Sequence, residues 1–186
     1  MNYFDLVKKF IADVSRPDQF RHFERTVYWA KELKPDADEA LLIAAISHDA
    51  ERVLAKENRP PKIEEDFSES LKGEIYLKWH QEKGAELVGN FLEENGAPDE
   101  TIKKVKHLIL KHEVGGDNEQ NILKDADSLS FFENNVERFL TKISEMGNEK
   151  IRQKFDWMFG RITSEKARQI ARPWYEVAIE KLEQIN

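Results

Sequence analysis

Residues 40–52 read ALLIAAISHDAER. The seven positions from Ala40 to Ile46 are all apolar, so a helix built from them has no polar face. A helix that is apolar all round is buried, which places this segment at the centre of a helical domain. It runs into two ionisable groups, His48 and Asp49. Such groups at the end of a buried helix must be paired or coordinate a metal, because burying them bare is costly. The alternative is a histidine that caps the helix C-terminus beside a solvated aspartate.

Outward from this segment, prolines and glycines punctuate a series of helical patterns. Pro17 suits the first turn of a helix running to about Leu33, with Phe20, Phe23, Val27 and Ala30 at helical spacing. Pro35 opens the central helix, expected over residues 36–52. Residues 56–70, with two prolines and acids clustered over 64–69, read as a long loop, a feature that often serves as a lid. Helical spacing resumes over 71–94, with a break expected near Trp79. Gly96 and Pro98 separate it from a helix whose apolar line is Ile102, Val105 and Ile109 and continues to His112; Gly115 and Gly116 end that helix. Further helices are expected over 121–145, 149–159 and 164–184, the last kinked or split at Pro173. No strand pattern appears. The expected fold is all-α, a single-domain irregular bundle of six to nine helices spanning 1–186, with residues 133–186 packed on the core.

The chain has 186 residues, enough for one domain with a sizeable core, and 35% of them are charged. The net charge of −7 disfavours binding to nucleic acid or an anionic membrane, whose phosphates need clustered cations. There is no cysteine, which excludes disulfides, thiolate metal sites and cysteine nucleophiles. The N-terminal MNYFDLVKKF lacks the apolar core of a signal peptide, and no apolar run is long enough for a bilayer span. These features lead to the expectation of a cytoplasmic protein.

The remaining ionisable residues differ in how strongly they point inwards. His22 shares its helix face with Arg25, a pairing that suits a phosphate-cleaving site but also an ordinary exposed face. His112 continues an apolar seam and should point inwards, as a ligand or as a satisfied core histidine. His107 lies among Lys103, Lys104 and Lys111 and should face solvent. His80 stands one turn before Gly84, which would let another backbone approach closely; the alternative is a plain helix-start histidine. Leu123 and Phe131 flank Asp127 at helical spacing, so Asp127 should face the core and needs a cation there: a metal, or an arginine. Asp125 should lie on a more polar side. Imidazole and carboxylate together suit Fe, Mn, Zn or Co rather than an all-oxygen Mg or Ca cage.

With these residues in order, the chain resembles the HD-domain superfamily of metal-dependent phosphohydrolases. The resemblance rests on an early His22 followed by Arg25, the central His48–Asp49 pair, and Asp127 within DADSL, and it covers about residues 18–132. The segments HQEKGA and LILKHE, which contain His80 and His112, look like the two further histidines of dinuclear members. The resemblance implies one or two divalent ions. The first would be held by His22, His48, Asp49 and Asp127, and the second by Asp49 as a bridge with His80 and His112. It implies hydrolysis of a phosphomonoester, phosphodiester or phosphoanhydride, nucleotides included, with Asp49, Arg25 and Arg52 acting on the substrate. Many members carry Gly-Lys where this chain has Glu51 and Arg52, so Arg52 takes the lysine's place and Glu51 is a departure. The basic residues Arg152, Lys154 and Arg161 lie beyond the resemblance; they either shape the site or, the favoured reading, belong to the surface. The competing function is a non-catalytic metal- or nucleotide-binding sensory module. A dioxygen-activating site is a third, minor alternative.

Overall fold

The computed structural model describes residues 2–54 and 71–185, with side chains described from residue 75 onward in the second segment. The loop expected over 56–70, including its acids at 64–69, lies outside the described residues. Among those described the chain is entirely helical. Its elements are α1 (Tyr3–Val14), α2 (Pro17–Leu33), α3 (Glu39–Ser47), α4 (Ala50–Leu54), α5 (Leu71–Glu94), α6 (Asp99–Ile109), α7 (Asn118–Asn134), α8 (Val136–Leu140), α9 (Ile143–Met146), α10 (Asn148–Gly160) and α11 (Glu165–Gln184). None of the described helices is long and apolar enough to cross a membrane.

Local chemistry explains the boundaries. Asp38 caps α3 by accepting from Leu41 N at 3.0 Å. The helix expected over 36–52 is two helices, because side chains take up the last carbonyls of α3: Ser47 Oγ donates to Ile43 O at 2.6 Å, and His48 Nδ1 bonds Ala45 O at 3.0 Å. His48 and Asp49 therefore occupy the turn between α3 and α4. Likewise α6 stops at Ile109, and His112 sits in the following turn with its backbone N bonded to Ile109 O at 3.3 Å. The region expected as one helix over 121–145 divides into α7, α8 and α9. Conversely, α5 runs unbroken past Trp79. α11 continues through Pro173, whose exposed position spares the ring a core clash while Ala171 and Ala178 stay buried on either side.

Two apolar clusters organise the packing. In the first, α3 supplies Leu41, Ile43 and Ile46, against Ile11 of α1, Phe23 of α2, Leu92 of α5, Ile109 of α6 and Leu123 of α7. The second joins Leu129, Phe131 and Phe132 of α7 to Phe155 of α10 and to Ala171 and Leu182 of α11. Trp29 and Leu33 of α2 pack against both. Helix α7 passes from one cluster to the other, and Asp127 lies between Ala126 of the first and Leu129 of the second.

Gly84 sets how closely α5 approaches the His48–Asp49 turn. A Cβ added there would stand 3.2 Å from His48 O and 3.4 Å from Ile109 Cγ2. Gly84→Val should therefore push α5 off the turn and destabilise the fold by about 1–3 kcal/mol, read as a lowered urea midpoint; an unchanged midpoint would refute this account of the packing.

Candidate metal centre

Two groups of side chains meet where these helices converge. His22 of α2, His48 and Asp127 form the first. His22 Nε2 and His48 Nε2 stand 3.0 Å and 3.3 Å from the same oxygen, Asp127 Oδ1. Asp49, His80 of α5, His112 and Glu113 form the second. Asp49 Oδ1 lies 2.9 Å from His80 Nε2 and 3.6 Å from His112 Nε2, while Glu113 Oε1 is 3.8 Å from both nitrogens. Within each group, one ligand-type atom from every residue lies within 4.8 Å of the others. The groups adjoin: the His48 ring centroid is 5.4 Å from that of His22 and 5.3 Å from that of His112.

The far nitrogen of each ring fixes what the near one presents. His48 Nδ1 bonds Ala45 O at 3.0 Å and His112 Nδ1 bonds Ile109 O at 2.8 Å. A carbonyl only accepts, so both Nδ1 atoms carry hydrogen and each neutral ring presents a bare Nε2 lone pair. Glu51 imposes the same tautomer on His80, its Oε2 lying 2.7 Å from Nδ1. Ser130 does so for His22: its hydroxyl donates to His22 O at 2.7 Å and accepts from Nδ1 at 2.8 Å. In the neutral Nδ1–H tautomer the buried Nε2 atoms of His48, His80 and His112 have no hydrogen to donate, and they have no hydrogen-bond partner among the described residues. Lone pairs thus face carboxylate oxygens, and only a cation between them resolves the contact. These residues fit a divalent ion, and second partners that orient metal-bound histidines in this way are typical of such sites.

The electrostatics agree. Burial works against charge on His48, yet the Asp127 and Asp49 carboxylates raise it to about 9. Burial also works against ionised Asp127, but Arg161 and His48 hold it well below the usual carboxylate range. Asp49 is likewise held low by Arg52 and His112 against the effect of burial. Glu113 is held down at about 2, burial being outweighed chiefly by Arg161. Without a metal, a proton shared with the carboxylates supplies the cation.

Two arginines hold the carboxylates: Arg161 joins the two groups, and Arg52 bridges two acids of the second. Arg161, in the turn after α10, reaches Glu113 through Nη1 and Asp127 through Nη2, and its Nε donates to Ser128 Oγ at 2.9 Å. Arg52 places Nε 2.8 Å from Asp49 Oδ2 and Nη2 3.8 Å from Glu113 Oε1. Lys154 of α10 is buried, lies 4.6 Å from the Trp157 ring centroid, and is pushed down to about 8 by burial. An open pocket leads to the centre, with His22, Asp49, Arg52, Glu113, Asp127 and Lys154 on its wall.

The structure thus brings together His22, His48, Asp49, His80, His112 and Asp127, with Arg52 beside them. Arg25 does not join them. Its Nε is 2.7 Å from Glu133 Oε2 and its guanidinium lies 3.9 Å from the Tyr28 ring centroid. The surface placement of Lys154 and Arg161 is corrected: both are buried, whereas Arg152 does pair at the surface with Glu183 at 3.0 Å. Asp125, expected on a polar side, is buried and accepts from Thr163 N and Ser164 N at 2.7 Å each, which anchors the start of α11 next to Arg161. Glu51, a departure from the family pattern, is the residue that orients His80. Glu113 escaped sequence analysis; its only signal was adjacency to an inward histidine just before a Gly-Gly turn.

Glu51→Ala removes the partner of His80 Nδ1 and should weaken metal binding about 10–100-fold, measured by titration with Mn or Zn; unchanged affinity would show that Glu51 only fills space. The metal-free protein should lose stability as pH rises. Its His48 titrates at about 9, above the unfolded value of 6.5, so the folded state holds the extra proton. The His48 contribution is complete below 6.5 and lost as pH passes 9, whereas buried Lys154, held down at about 8, acts in the opposite sense above that value, so thermal melts after chelation should fall between pH 6.5 and about 8. No curated protein and no solved structure matches the chain. A family model described as "Domain of unknown function (DUF4202)" matches residues 1–181. The chain belongs to that family.

Proposed function

We propose that this protein is a metal-dependent phosphohydrolase of the HD-domain kind, acting on a small phosphate ester or anhydride. The observation that carries the proposal is the set of buried, partnerless Nε2 atoms of His48, His80 and His112 beside the Asp49, Glu113 and Asp127 carboxylates. His22, His48 and Asp127 would hold one ion, and Asp49, His80, His112 and Glu113 a second, from the group Fe, Mn, Zn and Co that this donor set favours. Such ions lower the pKa of bound water towards neutrality and offset charge on a phosphoryl group.

The chain's own side chains supply the rest. The Arg52 guanidinium and the Lys154 ammonium line the open side of the pocket, placed to hold anionic oxygens of the substrate. Arg161 is committed to Glu113 and Asp127 and so positions carboxylates rather than substrate. Phe23 and Met158 on the same wall restrict water around the reacting group.

Protein supplied with Mn or Fe should release phosphate from at least one member of a panel of phosphomonoesters, phosphodiesters and nucleotides. Asp49→Ala should lower kcat/KM about a thousandfold or more, several kcal/mol of barrier. Retention of activity by this variant would defeat the mechanism, and metal binding with no turnover across the panel would point instead to a sensory module.

A further inference from the structure

The pocket that holds the metal-type ligands is also lined by a cation, Arg138, that the hydrolytic reading does not use. Arg138 of α8 lines the same pocket as Asp49 and Asp127, together with Gln19 of α2 and Asn135 at the start of α8. Its Nη1 pairs with Asp18 Oδ2 at 3.5 Å on the solvent side, where the side chain is 40% exposed, while its Nε is buried with no hydrogen-bond partner among the described residues. A guanidinium with an unmatched buried N–H is costly unless an acceptor arrives. Asp18 lies one helical turn before His22, a rise of about 6 Å along α2. Arg138 thus shares one pocket lining with the ligands His22, Asp49 and Asp127. Phe131 and Phe139 give the same lining apolar surface.

Charge points the same way. Asp49, Glu113 and Asp127 line the pocket, and so do Arg52, Arg138 and Lys154. Once metal ions satisfy the acids, the cations dominate the wall. A substrate with one phosphoryl group would satisfy the inner cations and leave Arg138 unmatched.

We propose that the pocket recognises a small molecule with two anionic ends: a phosphoryl group at the metal centre and a second anion, carboxylate or phosphate, at Arg138, joined by a short carbon linker against Phe131 and Phe139. Gln19 and Asn135 flank the second anion with their amides. This inference rests on the metal-loaded reading of the site given above and adds its substrate class.

Phosphonates test it independently of turnover, because their carbon–phosphorus bond resists hydrolysis. The affinities of 3-phosphonopropionate, propane-1,3-bisphosphonate, 3-hydroxypropylphosphonate and AMP for Mn-loaded protein would be measured by calorimetry. At least one of the two doubly anionic compounds should bind tenfold or more tighter than the hydroxypropyl compound, and which one does so identifies the second anion. Arg138→Gln should bring that ratio to within twofold of one, and Arg138→Lys should restore most of it. Equal affinities in the wild type, equal weakening of both ligand types by Arg138→Gln, or tighter binding of AMP than of either doubly anionic compound would overturn the proposal. The tenfold preference in a protein that releases phosphate from no ester would uphold this recognition site and remove the hydrolytic reading.

Discussion

Asp127 Oδ1 faces two imidazole nitrogens at 3.0 and 3.3 Å, and Asp49 Oδ1 faces two more at 2.9 and 3.6 Å. These atoms are all electron-rich when the rings are neutral, and they are enclosed by helices that admit little water. Such a contact is repulsive without a cation. The arrangement persists because the opposite side of each ring is already bonded: to Ala45 O, Ile109 O, Glu51 or Ser130. The rings cannot turn away without abandoning those bonds, so the centre is held ready for a positive charge.

The rest of the architecture serves to bring α2, α5, α7 and the turns after α3 and α6 to one point. Gly84 lets α5 lie against the carbonyl of His48. Asp125 ties α7 to the residues that cap the start of α11, and Arg161, four residues before that helix begins at Glu165, ties the end of α10 to both carboxylate groups. The second apolar cluster, built by α7, α8, α10 and α11, therefore does more than cover the first. It supplies the buried guanidinium that keeps Asp127 and Glu113 ionised, as well as Lys154 on the pocket wall.

The departure at Glu51 shows how a local anomaly becomes intelligible in three dimensions. A fully buried carboxylate beside a metal-type pair looks like a liability on desolvation grounds. Here it lies 2.7 Å from His80 Nδ1, so a residue that weakens the resemblance at the sequence level is part of the centre's support. Arg25 is the opposite case. Its spacing from His22 suits a substrate-facing cation, but the guanidinium is drawn to Glu133 and to the face of Tyr28.

The sequence by itself determined the helical class, the burial of most of residues 40–46 and the inward direction of Asp127, because each depends on periodicity within one helix; His112 is buried as expected, but from the turn after α6. It also marked His22, His48 and Asp49 through their order and context. Only the tertiary structure decided the pairing of Arg25 with Glu133 and the arrival of Glu113, Lys154 and Arg161. Those outcomes depend on contacts between segments distant in the chain, such as the 34 residues separating Asp127 from Arg161. Periodicity says which way a side chain points; what it meets there is settled by how the helices pack.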